Sequence, residues 1–190
     1  MPSTDPHYTA AEKCDLLQVA RASILHRLQH GRALHVNPLR YTPALREPRA
    51  SFVTIELDNK LRGCIGTLKA TRLLVKDVAH NAAEAAFCDP RFTPLTLAEF
   101  AHLALYISVL SPAQIIPADS ETSLLKQLQP GIDGLILEHD GQHETFLPSV
   151  WETLPEPRDF LRHLKRKAGL PENAWPATIR VLRYTTQLIS

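Results

Sequence analysis

An arginine, a thiol and two glycines stand within six residues of one another in the run Leu61-Arg62-Gly63-Cys64-Ile65-Gly66, which reads as a β-strand. Strand alternation sends Arg62, Cys64 and Gly66 to one face and Leu61, Gly63 and Ile65 to the other. A guanidinium two residues from a thiol on the same face favours the thiolate, and glycines beside it let another backbone or a ligand come close. Cys64 is therefore the candidate nucleophile, redox thiol or ligand-holding thiol. Arg62, Gly63 and Gly66 are candidate ligand-binding residues around it. The plainer alternative for Cys64 is a small buried hydrophobe, a common fate of a free cysteine. No histidine adjoins it in sequence, so a base would have to come from His80 or His102 through folding. His80 falls on the helix expected after the motif, where a solvated histidine is the ordinary reading.

The segment Asp89-Pro90-Arg91-Phe92 supplies a carboxylate and a second cation. Asp89, or Glu84 one turn earlier, is the expected ion-pair partner of Arg62. Asp89 and Arg91 complete the candidate ligand-binding set. The alternative makes the segment a helix stop, with Asp89 closing the turn, Arg91 exposed and Phe92 as the hydrophobic anchor.

Other chemistry is thinner. His139 and His143 lie across an expected hairpin turn, and no third ligand is evident, so no metal site is expected. Lys165-Arg166-Lys167, with Arg158 and Arg162, gives the last helix a basic surface that would suit phosphates. A solvated face, with cations near the C-terminal end of the helix, is the default reading, since no aromatic-rich nucleic-acid motif accompanies it. Trp151 reads as a core or interface plug before it reads as a stacking platform.

The elements that must position these residues follow from spacing. Thr9 and Glu12 form a capping box ahead of Leu17, Ala20, Ile24 and Leu28, and Gly31 is a suitable stop, so a helix is expected over about 9–30. Pro38, Pro43 and Pro48 punctuate an extended segment after it. Phe52–Leu57 alternates, and Asp58-Asn59-Lys60 turns the chain into the Cys64 strand, which predicts an antiparallel hairpin. Leu74, Val75, Val78, Ala82 and Ala85 mark a second helix closed by Asp89-Pro90. A strand over 103–110, a short helix over about 120–128 and a hairpin turning at Asp140-Gly141 follow. A last helix through Phe160, Leu161, Leu164 and Ala168 ends at Gly169, and a final strand covers 178–184. Hairpins interleaved with helices predict an α+β fold with a mainly antiparallel sheet and flanking helices. No linker or repeat divides the chain, so one domain is expected over 1–190, with its compact core at about 10–185.

Bulk properties bound the function. At 190 residues with a formal net charge of +1, the chain carries no global field to recruit nucleic acid or acidic lipid. Fifteen prolines against seven glycines favour stiff connections. Cys14, Cys64 and Cys88 are odd in number and scattered, giving neither a disulfide framework nor a CxxC motif. With no signal-like start and no long apolar run, a cytoplasmic location is expected.

The Leu61–Gly66 hexapeptide resembles the signature of the AMMECR domain family. The resemblance continues in order through Ala85-Ala86-Phe87-Cys88-Asp89-Pro90-Arg91-Phe92, Ser108-Val109-Leu110 and Pro130-Gly131-Ile132-Asp133-Gly134. It extends to Phe146-Leu147-Pro148-Ser149-Val150-Trp151 and Lys167-Ala168-Gly169-Leu170, and covers roughly residues 10–185. The chain is similar to the free-standing prokaryotic members of the AmmeMemoRadiSam system. The resemblance implies an α+β fold with a larger and a smaller lobe, and a Memo-like protein and a radical S-adenosylmethionine protein as partners. It implies no established activity and no known cofactor. Tyr106 stands where the family pattern has an acidic residue, Ser149 where Gln is common and Lys165 where Cys is common. The first departure puts an acid–base role from that strand in doubt, and the last a two-cysteine mechanism.

Three readings follow. The first is a ligand-binding or enzyme-like domain with its site around Arg62, Cys64 and Asp89–Arg91, engaging an unknown small ligand. The second is a non-catalytic adaptor for the Memo-like or radical protein, and the third an RNA-binding accessory.

Overall fold

The computed structural model describes residues 7–190. Two compact units divide them: residues 7–111 together with Gln187–Ser190, and Pro112–Thr186. The larger and smaller lobes thus come from a chain that leaves the first unit once and returns to it with its last strand.

In the first unit, α1 (Ala10–His30) begins with the predicted capping box. Thr9 N–H donates to Glu12 Oε2 at 2.8 Å, and Glu12 N–H donates back to Thr9 Oγ1 at 3.2 Å. Gly31, at φ 67°, ends it in the left-handed conformation that a side chain resists. The hairpin of β1 (Ser51–Leu57) and β2 (Lys60–Gly66) is antiparallel, and it turns at Asp58 and Asn59, both at positive φ. α2 (Leu74–Phe87) and the short α3 (Leu97–Phe100) precede β3 (Ala104–Leu110).

The sheet order is β2-β1-β3-β8, where β8 is Thr186–Ile189, a strand that alternation did not signal. β2 is therefore an edge. Val53, Ile55, Ile107 and Val109 bury one sheet face in a core shared with Leu16, Ile24, Leu74, Val78 and the α2 alanines. Ala82, Ala85 and Ala86 let α2 lie close to the strands, as small residues permit.

In the second unit, β4 (Gln114–Ile115), β5 (Gly134–His139), β6 (Gln142–Phe146) and β7 (Arg180–Tyr184) form an antiparallel sheet ordered β4-β7-β5-β6. α4 (Glu121–Leu125) and α5 (Pro157–Lys167) accompany it. Trp151 fills this core as expected. Its ring stacks on Phe160 at 3.8 Å between centroids, and its indole N–H donates to the Asp133 carbonyl at 2.7 Å.

One expectation fails here. Lys165 is not on a solvated basic face of α5; it is fully buried. Its Nζ donates to Glu121 Oε2 at 2.6 Å, to the Glu172 carbonyl and to the Ala174 carbonyl at 3.3 Å. Three oxygens replace its hydration shell, which is what burial of an ammonium requires.

Candidate functional site

Cys64 lies near the middle of the edge strand β2. Gly63, its neighbour, faces α2 so closely that a Cβ there would run into the Ala85 carbonyl oxygen. Alternation then puts the Cys64 side chain on the opposite face, where Thr54 of β1 stands directly across from it. Thr54 Oγ1 donates to Cys64 Sγ at 3.3 Å, and the thiol residue is half-buried. Tyr106 continues the row beyond Thr54, about 10 Å from Cys64 at two strand spacings.

The backbone of Cys64 is held from the free side of the strand. Its N–H donates to Asp89 Oδ2 at 2.9 Å, and its carbonyl accepts from Arg91 Nη2 at 3.4 Å. Asp89 in turn accepts from Arg91 Nε at 2.9 Å and Nη2 at 2.7 Å, and from the Arg91 amide at 3.1 Å. The Arg91 guanidinium, joined by the Cys64 and Arg91 amides, holds the nearly buried Asp89 carboxyl well below the usual carboxylate range. α2 places these residues: it ends at Phe87, and the chain then folds back so that Leu95 N–H reaches the Ala86 carbonyl at 2.8 Å. Three of the candidates, Cys64, Asp89 and Arg91, are thus in direct contact.

Arg62 is placed differently from expectation. Its partner is neither Asp89 nor Glu84 but Glu99 of α3, with Nε to Oε1 at 2.7 Å and Nη2 to Oε2 at 3.2 Å. The cause is a β-bulge. Gly63 pairs with Ile55 and Leu61 with Glu56, so Arg62 is an extra residue opposite that step. A bulge breaks strict alternation and re-aims its side chain. Thr96 steadies Glu99 from the other side, donating to its Oε2 through N–H and Oγ1, both at 2.8 Å. The Arg62 guanidinium, with help from Thr96, lowers the Glu99 carboxyl to about 2. Glu84 is taken by Arg27 at 2.8 Å.

Between the two pairs lies the Phe92 ring, with the Arg91 guanidinium 5.4 Å and that of Arg62 5.8 Å from its centroid. Phe92 is the half-buried anchor the sequence suggested, while Arg91 keeps about half its side chain in solvent. Gly66 carries the Phe52 ring where a side chain would otherwise stand. The close approach each glycine permits is thus made by the protein itself.

The AMMECR1 family model matches residues 17–189. The chain belongs to the AMMECR1 family. Protein MJ0810 of Methanocaldococcus jannaschii is 33% identical, over 78% of this chain and 76% of its own length. Protein PF1979 of Pyrococcus furiosus is 33% identical, over 91% of this chain and 85% of its own. Among solved structures, the uncharacterized protein PH0010 of Pyrococcus horikoshii superposes with a TM-score of 0.84 at 32% identity, covering 91% of this chain and 88% of that one. The α+β fold expected from the sequence is therefore that of an AMMECR1 relative.

The remaining candidates are dispersed. His80 and His102 are exposed, and among the described residues the hydrogen-bond partner of the Cys64 thiol is Thr54 rather than either histidine. His139 pairs across the hairpin with Gln142 and binds Asp140 and Thr178, while His143 stands opposite Glu138. Among the described residues no group of three or more metal-ligating side chains comes together. None of the described helices is long and apolar enough to cross a membrane.

Sequence reading missed a buried polar cluster at the other end of the β1–β2 hairpin. Asp77, fully buried, accepts from Ser51 N–H (3.0 Å) and Oγ (2.8 Å), from Thr67 Oγ1 (3.0 Å), from Asn81 Nδ2 (2.9 Å) and from Arg72 Nη1 (3.3 Å). The available signal was an Asp and an Asn four apart on the otherwise apolar face of α2.

Proposed function

We propose that this AMMECR1-family protein is a ligand-binding or enzyme-like protein whose working group is the Cys64 thiol, with Asp89 and Arg91 as the frame that holds it. One observation carries the reading. The Cys64 backbone is fixed on both its N–H and its carbonyl by a charged pair, while the residue is only half-buried and its side chain lies on the sheet face opposite α2. A core cysteine needs no such frame, whereas a thiol that must meet a ligand at a set angle does. As an enzyme, the protein would use Cys64 as nucleophile or redox thiol. Arg91, half in solvent beside it, then takes the anion-facing role that sequence reading gave to Arg62.

The test is peptide-resolved alkylation of the native protein by iodoacetamide, read by mass spectrometry. Cys14 and Cys88, both exposed, serve as internal references. Modification of Cys64 in the folded state, blocked by metabolite extract from the host, supports the reading. A Cys64 that is modified only after unfolding defeats it.

A second reading, a non-catalytic adaptor for a Memo-like or radical S-adenosylmethionine protein in the cytoplasm, draws on a different observation. Arg62 is spent on Glu99 and Arg91 on Asp89, so little charge near Cys64 is left uncommitted. Stable co-purification with either partner from the host would favour it. The RNA-binding reading is weaker. Of the α5 cations, Lys165 is buried, Arg162 pairs with Asp159 and Lys167 with Glu144, leaving Arg158 and Arg166 without a carboxylate among the described residues.

A further inference from the structure

On the helix layer of the first unit, α1 and residues 34–41 bound an open cleft of about 440 Å3. Its apolar lining includes Val19 and Val36, both buried, and Leu34, half-buried. Its polar lining includes Asp15 on α1, and His35, Arg40 and the Tyr41 hydroxyl on the facing segment. Among the described residues, none of these four side chains has a hydrogen-bond or ion-pair partner. That contrasts with the Cys64 region, where the neighbouring charges are paired.

The cleft is built rather than incidental. Gly31 turns the chain sharply at the end of α1 and sends it back along the helix. Asn37 Oδ1 accepts from the Leu39 amide at 3.1 Å and caps the turn Pro38–Arg40. Beyond it, Thr42 Oγ1 donates to Glu12 Oε1 at 2.6 Å and ties the segment to the first turn of α1. Both walls are thus fixed before any ligand arrives.

A carboxylate and a guanidinium that share a cleft of mixed lining without pairing are complemented by a molecule that brings both opposite charges. A simple anion would meet Asp15, a simple cation would meet Arg40, and an uncharged apolar molecule would leave both unanswered. The volume lies in the range of small-molecule sites, about 300–1,000 Å3, and leaves room beyond one amino acid. We propose that this cleft binds a zwitterionic small molecule of dipeptide size. Its ammonium meets Asp15, its carboxylate meets Arg40 and its apolar side chains lie on Val19, Leu34, Val36 and the Tyr41 ring. This site uses none of the residues around Cys64 and stands or falls separately from the function proposed above.

The experiment is an NMR titration of the 15N-labelled protein with leucyl-leucine, alongside its N-acetylated and its C-amidated forms. The expected result is a set of amide shifts confined to residues 15–22 and 34–41, with either blocking group weakening binding about tenfold or more. Asp15→Asn should abolish the penalty for N-acetylation alone, and Arg40→Gln the penalty for amidation alone. Both residues lack side-chain partners, so both variants keep the fold. Absence of localised shifts at about 10 mM peptide, a threshold weaker than a millimolar Kd, overturns the proposal. So does binding of either blocked form as tightly as the free dipeptide.

Discussion

The Cys64 amide donates to the Asp89 carboxylate at 2.9 Å, so a residue two positions past the α2 terminus also closes the free edge of the strand carrying the thiol. An open edge strand offers unpaired N–H and carbonyl groups to any passing chain. At Cys64 both groups are taken, one by Asp89 and the other by Arg91. A frame of this kind serves two ends at once: it protects the edge, and it sets where the thiol points.

Removing the Asp89 carboxylate should therefore be costly. Asp89→Ala leaves the Cys64 amide and the Arg91 guanidinium without their acceptor and should lower stability by about 2–3 kcal/mol. Arg91→Ala leaves a nearly buried carboxylate that still accepts the Cys64 amide, and should cost about 1–2 kcal/mol. Urea denaturation of both variants checks the order. Equal and negligible losses would mean that the frame is not holding the strand.

Acid should loosen the same region in a definite window. Arg62 lowers Glu99 from 4.5 to about 2, and Arg91 lowers Asp89 from 3.8. A carboxyl whose folded pKa is depressed stabilises the fold fully above its unfolded pKa and loses that contribution as pH falls through the folded one. Both pairs thus contribute in full above about pH 5 and weaken below it. Glu99→Gln should remove part of the slope of stability against pH between about 4.5 and 2, and cost about 1–2 kcal/mol at pH 7. Unfolding curves at pH 7, pH 3 and pH 2 separate the two effects, because the variant and the parent should draw closer at pH 3 and converge only as pH falls to about 2 and below.

Local signals in the sequence were enough for α1, the β1–β2 hairpin and α2. A capping box, a two-residue turn and a helical run of alanines each specify their structure over a few residues. Asp89 and Arg91 were legible as neighbours of Cys64 because the helix after the strand has to return to it. The Arg62–Glu99 pair was not. It depends on a bulge, and a bulge is a mismatch between two strands that neither strand's own pattern reveals. Lys165 was hidden for a related reason. A lysine that opens a run of three basic residues reads as solvated, and its acceptors, Glu121 and the 172 and 174 carbonyls, come from elsewhere in the chain. β8 is a four-residue strand defined by the sheet it joins.

The two glycines of the hexapeptide should respond differently to the same substitution. Gly63→Ala drives a methyl into the backbone carbonyl of Ala85, and the helix can yield only by moving as a unit. A loss of about 3 kcal/mol is expected. Gly66→Ala meets the Phe52 ring instead, a side chain that can turn away, so about 1 kcal/mol is expected. Thermal or urea unfolding distinguishes them. A Gly63→Ala protein as stable as the parent would show that α2 does not press on the strand.

Lys165 offers a test confined to the second unit, because both tryptophans of the chain, Trp151 and Trp175, belong to that unit and report on it by fluorescence. Its ammonium donates to one carboxylate and two carbonyls, and the whole residue is buried, as are Leu161 and Leu164 on the same helix. Lys165→Met keeps the stem and removes the charge. Glu121 is partly exposed and regains water, so the cost is set by the two carbonyls that lose their donor, about 2 kcal/mol. Lys165→Ala loses the packing as well, and should cost about 4 kcal/mol. Both variants should move the tryptophan transition to lower urea, with Ala moving it further. If Met leaves the transition where it is, the enclosed ammonium fixes the 172–174 segment without contributing net stability, as a buried ion pair sometimes does. Faster proteolytic cleavage at that segment would then be the remaining mark of its loss.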